Sequence, residues 1–261
     1  MFNDHRRPES AVGRPRRAAS SAAVVVLLAL IPLAACSSDS EPSTAPDSGA
    51  TTPAGSGGSE QNEAATHYYP AIEGATLTYQ ISTGLGDFTT EVTVNAVTSG
   101  ADGQTIAATE VSTGDESATA ERRIRIAPDG SLHLGIDAGL FFALGPATGV
   151  TYEGDDIVIP SLADLAAGRT SSGTFVEVTD GERLDVAYTV RGVGREEVTV
   201  PAGRAEAYVV EMAFEVAESS GTTSYTGRYW LAPGFGLVRQ EFESGLGTVT
   251  AELVSSSVPL P

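Results

Sequence analysis

This chain of 261 residues lacks several residue types on which common protein functions depend. It contains no lysine, and its 15 basic side chains, all arginine, stand against 34 acidic ones, which gives a formal net charge of −19. Because so negative a surface repels the phosphate backbone, we expect no nucleic-acid partner. A single cysteine excludes a disulfide framework and a cysteine-rich zinc site. The 41% of hydrophobic residues still supply enough apolar side chains for a folded core.

Residues for catalysis and metal binding are equally scarce. The histidines His5, His67 and His133 lack the spacing to other ligands that zinc and iron sites use, so we predict no metal and no cofactor. His133 lies between two leucines and is expected to face solvent. There is no Gly-x-Ser-x-Gly elbow in the domain and no phosphate-binding loop with lysine, so we predict no catalytic residue. Two carboxylates brought together from distant strands, as in a glycoside hydrolase, remain open.

The N-terminal residues have the pattern of an export signal. Residues 1–17 carry five arginines, and residues 18–35 are almost wholly apolar. We predict that residues 1–35 form a signal peptide. A retained anchor helix is the alternative, since about 18 apolar residues barely span a bilayer. Export by the Sec or the twin-arginine route is left open, because the neighbours of Arg16-Arg17 depart from the twin-arginine motif.

The end of the apolar run, Leu33-Ala34-Ala35-Cys36, resembles the lipobox of bacterial lipoproteins. That resemblance implies cleavage before Cys36 and lipidation of its sulfur, with palmitate among the acyl chains. The protein would then be extracytoplasmic and anchored to the cell membrane by lipid, since two acyl chains give stable attachment. Residues 37–66 are rich in Ser, Thr, Gly, Pro and Ala without apolar periodicity, so we predict that residues 36–66 are a lipidated cysteine followed by a disordered tether.

Residues 67–261 have the size of one domain. Apolar and polar residues alternate along several stretches, as in residues 208–216, and pairs such as Asp129-Gly130 mark turns between them. This pattern predicts a mainly β fold, an antiparallel meander that forms a curved sheet or a partly open barrel. One short helix is predicted near residues 161–168, with Ser161 at its start and Gly168 at its end.

Two parts of this domain resemble each other. Residues 78–82, 93–97 and 126–132 match residues 174–178, 189–193 and 231–237 in the same order. We predict a duplication, of residues 67–135 and 160–240, that would give two similar β-halves. Chance similarity among strands rich in valine and threonine is the alternative.

Three segments resemble a family of bacterial envelope lipoproteins with an uncharacterised β-domain. Residues 68–79 have the pattern Tyr-Pro…Gly…Leu-x-Tyr, with Leu77 where the family usually has tryptophan. Residues 197–203 contain Val-Pro-Ala-Gly, and residues 229–238 read Tyr-Trp-x-Ala-Pro-Gly-x-Gly-Leu-Val. The resemblance implies a curved antiparallel sheet and supplies no catalytic residue. The prolines and glycines of these motifs are typical of turns.

Residues 136–150 form a notably apolar segment that includes Leu140, Phe141, Phe142 and Leu144. It is either a buried strand or loop, or the lip of a cavity for an apolar ligand. On the first interpretation Phe142→Asp destabilises the fold, and on the second it prevents ligand uptake.

We therefore hypothesise a membrane-anchored lipoprotein that acts as a non-enzymatic binding module. Its occupant is an apolar ligand or a basic protein partner attracted by the acidic surface. A cell-envelope hydrolase with an unrecognised carboxylate pair is the alternative, and two buried acids facing one cleft would indicate it.

Overall fold

The computed structural model describes residues 70–84, 86–114, 117–135, 150–179, 181–218, 221–244 and 247–261. In these ranges 13 strands form one antiparallel sheet accompanied by a single short helix, which confirms the predicted fold class. The strands are β1 (Thr76–Thr83), β2 (Gly86–Gly100), β3 (Gly103–Thr113), β4 (Ser117–Ile126), β5 (Leu132–Leu134), β6 (Val150–Gly154), β7 (Ile157–Ile159), β8 (Thr170–Thr179), β9 (Glu182–Val200), β10 (Gly203–Glu218), β11 (Gly221–Ala232), β12 (Gly236–Ser244) and β13 (Gly247–Ser256), and helix α1 spans Leu162–Ala166.

The sheet is rolled so that its two edges approach each other. Its strand order is β6-β8-β9-β10-β11-β12-β13-β1-β2-β3-β4-β5-β7. The two edge strands, β6 and β7, are therefore consecutive in the chain, and only Asp155 and Asp156 connect them. Such a connection spans at most about 11 Å, so the edges lie side by side. Among the described residues no ladder joins β6 to β7, and the sheet is not closed along this line.

The inward face of the rolled sheet carries the hydrophobic core. In β10, Met212, Phe214 and Val216 are buried, whereas Glu215 between them is exposed. The same period of two runs through β9, where Leu184 and Val186 are buried. Because successive side chains of a strand point to opposite faces, the alternation in the sequence identifies the residues that line the interior.

The predicted helix occurs where its capping residues indicate. The Ser161 hydroxyl accepts a hydrogen bond from the Asp164 N–H at 3.2 Å, and Gly168 follows the last turn with φ of 73°. The helix packs closely on β9, since a Cβ atom at Gly192 would lie 2.7 Å from the Leu165 carbonyl oxygen. Glycine at this position permits the contact.

The hairpins of the sheet define two ends of the rolled structure. At the N-terminal end β1 begins, and tight turns join β2 to β3, β4 to β5, β9 to β10 and β11 to β12. At the distal end lie the strand pairs Thr83–Gly86, Thr113–Ser117, Thr179–Glu182, Glu218–Gly221 and Ser244–Gly247. The tip of the β9–β10 hairpin reaches across the N-terminal end to β13, where the Ala202 N–H donates to the Leu253 carbonyl oxygen at 3.1 Å.

The segments matched by the predicted duplication occupy equivalent places in two meanders. Residues 78–82 and 93–97 lie in β1 and in β2, and their counterparts lie in β8 and in β9. Residues 126–132 contain the turn after β4, the fourth strand of the first meander (β1–β4). Residues 231–237 contain the turn after β11, the fourth strand of the second meander (β8–β11). The duplication itself stays a prediction.

Candidate binding interior

Aromatic rings line the distal half of the interior. Tyr152 of β6 contacts Phe175 of β8 edge to face, with ring centroids 6.0 Å apart, and Phe175 lies 6.5 Å from Tyr188 of β9. On β11 and β12, Tyr225 stacks on Phe242 at a centroid distance of 6.2 Å. Rings in these arrangements present large apolar surfaces with fixed orientation.

Polar side chains enter the interior mainly away from the N-terminal end, although Gln104 near the start of β3 also has a buried, unpartnered Oε1. Otherwise the inward side chains of the described strands towards the N-terminal end are apolar, as at Leu77 and Ile126. Nearer the distal end the buried inward residues include Thr90, Glu110, Ser112, Arg122, Glu177 and Gln240. Some of these buried polar groups have hydrogen-bond or ion-pair partners within the interior, and others have none.

Glu110 of β3 and Arg122 of β4 form a buried ion pair, in which the Arg122 Nε donates to a carboxylate oxygen of Glu110. Thr90 and Ser112 are joined by a hydrogen bond of 3.0 Å between their hydroxyls. These four side chains therefore satisfy one another to a large extent, as buried polar groups normally do. Arg122 is the one cation among the buried residues that the structure describes.

Glu177 of β8 is buried without a basic partner in the described structure. Its residue is 2% exposed, and its carboxylate accepts a hydrogen bond from the Thr179 hydroxyl at 2.9 Å. Burial raises the pKa of this carboxyl to about 7, although the bond from Thr179 acts in the opposite direction. A carboxyl with such a pKa is partly protonated near neutral pH.

Tyr229 of β11 and Gln240 of β12 face each other across their strands and are completely buried. The Tyr229 hydroxyl, the Gln240 Oε1 and the Gln240 Nε2 have no hydrogen-bond partner in the structure. Burial also raises the pKa of the Tyr229 hydroxyl, so it remains a donor. Each unpartnered buried polar atom costs about 1–3 kcal/mol, which makes this pair the least satisfied place in the described core.

Side chains from β8 and β9 hold the open edge of β7. The Tyr188 hydroxyl accepts from the Val158 N–H at 3.2 Å and donates to the Asp156 carbonyl oxygen at 3.3 Å. The Ser171 hydroxyl donates to the Val158 carbonyl oxygen. Gly173 lies opposite Tyr188, and its missing side chain lets the ring cross β8. We call this contact the side-chain seam, because hydrogen bonds from side chains here take the place of the backbone hydrogen bonds of a strand ladder.

His133 lies outside this interior, in a relay of hydrogen bonds. Arg125 Nη2 contacts His133 Nδ1 at 2.6 Å, His133 Nε2 contacts the Ser131 hydroxyl at 3.2 Å, and that hydroxyl donates to Asp129 at 2.6 Å. Its side chain is 18% exposed, so the expectation of a solvated histidine is wrong. Burial and the Arg125 charge lower the pKa of His133.

The direction of the protons in this relay opposes catalysis. An arginine only donates, so Nδ1 of His133 must accept, and the proton of the neutral ring resides on Nε2. The ring then donates to Ser131 and offers no base to activate that hydroxyl. Asp156 Oδ2 lies 4.0 Å from His133 Nδ1, so Ser131, His133 and Asp156 come together, but they do not have the roles of a catalytic triad.

Comparisons with known proteins agree with this architecture. A family profile described as DUF3108-like matches residues 73–252, which is most of the described domain. The chain belongs to the DUF3108-like family. No curated protein sequence matches it.

Two solved structures resemble this DUF3108-like chain in fold. A candidate lipoprotein of Parabacteroides distasonis is 19% identical, with a TM-score of 0.61, and the match covers 74% of this chain and 99% of that one. A candidate exported protein of Bacteroides fragilis with a YmcC-like fold is 18% identical, with a TM-score of 0.57, and the match covers 74% and 100% of the two chains. At these identities the likeness establishes the fold.

Several predicted features of this DUF3108-like chain lie outside the described residues. They are Cys36, the tether, and the apolar residues Leu140, Phe141, Phe142 and Leu144. Within the described ranges there is no cluster of three potential metal ligands and no helix long and apolar enough to cross a membrane. Of the two buried glutamates described, Glu110 is paired with Arg122, whereas Glu177 has no basic partner among the described residues.

Glu177 and Gln240 are not among the residues predicted from the sequence. A signal was present, because each is a polar residue at an inward position of an alternating strand. Glu177 follows Phe175 by two residues, and Gln240 stands between Val238 and Phe242. Tyr229 was placed in a structural motif, and its face and burial agree with that role.

Proposed function

We propose that this DUF3108-like protein is an extracytoplasmic lipoprotein whose rolled sheet binds an apolar ligand in its interior, without enzymatic activity. The observation that carries the proposal is the uneven interior. It is lined by apolar and aromatic side chains, among which Gln104, Tyr229 and Gln240 hold buried polar atoms without a partner. Since folded domains satisfy nearly all their buried polar groups, unpartnered ones indicate that a second molecule enters.

Anchoring at Cys36 fits the direction of the chain. The described domain begins at Pro70, close to the N-terminal end of the rolled sheet. A flexible tether of residues 37–66 would span about 30 Å root-mean-square and would hold the domain near the membrane to which Cys36 is attached.

Mass spectrometry tests ligand binding. The mature protein is purified in mild detergent from the envelope of cells that produce it, and its native mass is compared with its denatured mass. We expect an adduct of lipid mass that disappears on denaturation, with the same lipid in an organic extract. An identical native and denatured mass would contradict the proposal and would leave a protein partner as the occupant to be sought by cross-linking.

Anchoring is tested separately with Cys36→Ser. We expect the wild-type chain to begin at Cys36 with the mass of its acyl chains and to sediment with membranes. The variant should lose both properties, because no other residue here can take the thioether-linked lipid. A variant that is still cleaved and still carries acyl chains would contradict anchoring at Cys36.

A further inference from the structure

We propose that the distal end of the rolled sheet holds the positively charged head of a cationic amphiphile, such as a long-chain alkylammonium, on the rings of Tyr152 and Tyr225. This inference rests on the proposed function and names the class of apolar ligand that the protein selects. The juxtaposition that carries it is a pair of partly exposed inward rings next to a buried acid, at an end of the sheet whose described rim is acidic.

The two rings face inward and are still reached by solvent. Tyr152 is the cross-strand neighbour of Glu177, and Tyr225 is the cross-strand neighbour of Phe214. Directly paired residues share a face of a sheet, and both neighbours are buried in the interior. Tyr152 and Tyr225 themselves are only partly buried. A small head group can therefore contact their exposed surfaces without displacing the core.

Glu177 supplies a negative charge beside these rings. Its neighbours across the strands are Tyr152 and the apolar Leu184, and its hydrogen-bond donor is the Thr179 hydroxyl. The titratable groups that face it are the hydroxyls of Tyr152 and Tyr225, and the pKa of each is raised by burial and, less strongly, by the Glu177 charge. Among the described residues no basic group accompanies this carboxyl, and a bound ammonium would supply one.

The rim of the distal end is acidic as well. Acidic residues stand at or next to the distal strand ends, namely Asp87, Glu182, Glu218 and Glu243. Arg183 is the one arginine of the described residues next to such an end, and it forms an ion pair of 2.7 Å with Glu153. The field at this end therefore attracts a cation and repels an anionic head.

Aromatic rings next to a carboxylate favour an ammonium group over a hydroxyl. The face of a tyrosine ring attracts a cation by about 0.5–2 kcal/mol, and quaternary ammonium groups are bound in this way. The apolar chain of the same ligand can pack on the rings that continue the two tyrosines. Tyr225 stacks on Phe242 at a centroid distance of 6.2 Å, and Tyr152 contacts Phe175 at 6.0 Å.

Binding to the delipidated full mature protein tests the head-group preference. The probes share one hydrocarbon chain and are dodecyltrimethylammonium, dodecanol and dodecanoate, each below its critical micelle concentration and measured by calorimetry at pH 8. We expect the ammonium to bind most tightly and dodecanoate at least about tenfold more weakly.

Glu177→Gln and the pH separate the buried acid from the net charge. The pKa of Glu177 is about 7, so its ionised fraction rises about tenfold between pH 6 and pH 8. The affinity of the wild type for dodecyltrimethylammonium should rise by up to about tenfold over this range, and that of Glu177→Gln should stay nearly constant. Glu153→Gln is the matched control. It removes one charge from the exposed face of β6 beside Tyr152 and should change the affinity by less than about twofold.

Replacement of a ring tests the contact with the cation. Tyr225→Phe keeps the ring and should leave the affinity for dodecyltrimethylammonium within about twofold. Tyr225→Leu should weaken this affinity about 3- to 10-fold more than the affinity for dodecanol. Tyr152→Leu repeats the comparison on β6 if Tyr225→Leu does not fold.

The outcomes separate the head-group site from the proposed function. Equal affinity for the three probes, or equal weakening by Glu177→Gln and Glu153→Gln, overturns the cation site and leaves interior binding in place. Absence of binding by all three probes to the wild-type protein overturns both.

Discussion

Replacing Glu177 by glutamine would remove a carboxyl group that the folded protein ionises only at a cost. The pKa of Glu177 is about 7 in the folded protein, against 4.5 ordinarily, because the group is buried. Between these two values the folded state binds more protons than the unfolded state, so stability falls as the pH rises. Each pKa unit corresponds to about 1.4 kcal/mol, so Glu177 reduces stability by about 3 kcal/mol once the pH exceeds 7.

Glu177→Gln should abolish this loss without disturbing the local contact. The glutamine oxygen can still accept the hydrogen bond from the Thr179 hydroxyl. At pH 5 the unfolded state has already lost most of its Glu177 proton, so the variant should be more stable than the wild type by only about 1 kcal/mol. At pH 8 the variant should be more stable by up to about 3 kcal/mol. Urea denaturation at pH 5, 6, 7 and 8 measures both values.

Glu153 on the adjacent strand β6 provides the control. It is exposed, and hydrogen bonds from the Arg183 guanidinium lower its pKa. A lowered pKa contributes stability above the ordinary value that is lost as the pH falls, so Glu153→Gln should bring no gain at pH 8. A difference between Glu177→Gln and wild type that stays constant from pH 5 to pH 8 would refute the reasoning about burial.

Two further substitutions test the interior and the seam. Glu110→Gln removes the carboxylate that pairs with the buried Arg122 and should reduce the free energy of unfolding by about 3–5 kcal/mol, whereas Glu110→Gln combined with Arg122→Met should recover most of this loss in urea denaturation. Gly173→Ala places a Cβ atom 2.7 Å from Tyr188 Cε1 and should cost about 1–3 kcal/mol. The same substitution in a Tyr188→Ala background should cost much less, and an equal cost there would contradict the steric account.

The strands and the short helix could be predicted because their signals are local. The period of two around Phe214 follows from strand geometry, and the cap at Ser161 follows from its hydroxyl next to a helical segment. Both depend on residues within a few positions of one another, so no knowledge of distant neighbours is needed.

A curved or partly open sheet could be predicted, but the strand order and the identity of the two edges could not, because they depend on contacts between distant strands. The approach of β6 to β7 requires the complete strand order, and the seam joins Tyr188 to Val158 across 30 positions of the chain. The same limit applies to the candidate site. Alternation places Gln240 on the inward face, but only the packed structure reveals that neither of its polar atoms has a partner. Whether a buried amide is satisfied depends on residues from other strands.

A crystal structure of the mature protein purified from the envelope of its own cells tests the central claim most directly. The account predicts continuous elongated electron density inside the rolled sheet along the aromatic wall of Tyr225 and Phe242. An interior that contains only protein side chains and separate water molecules would contradict it.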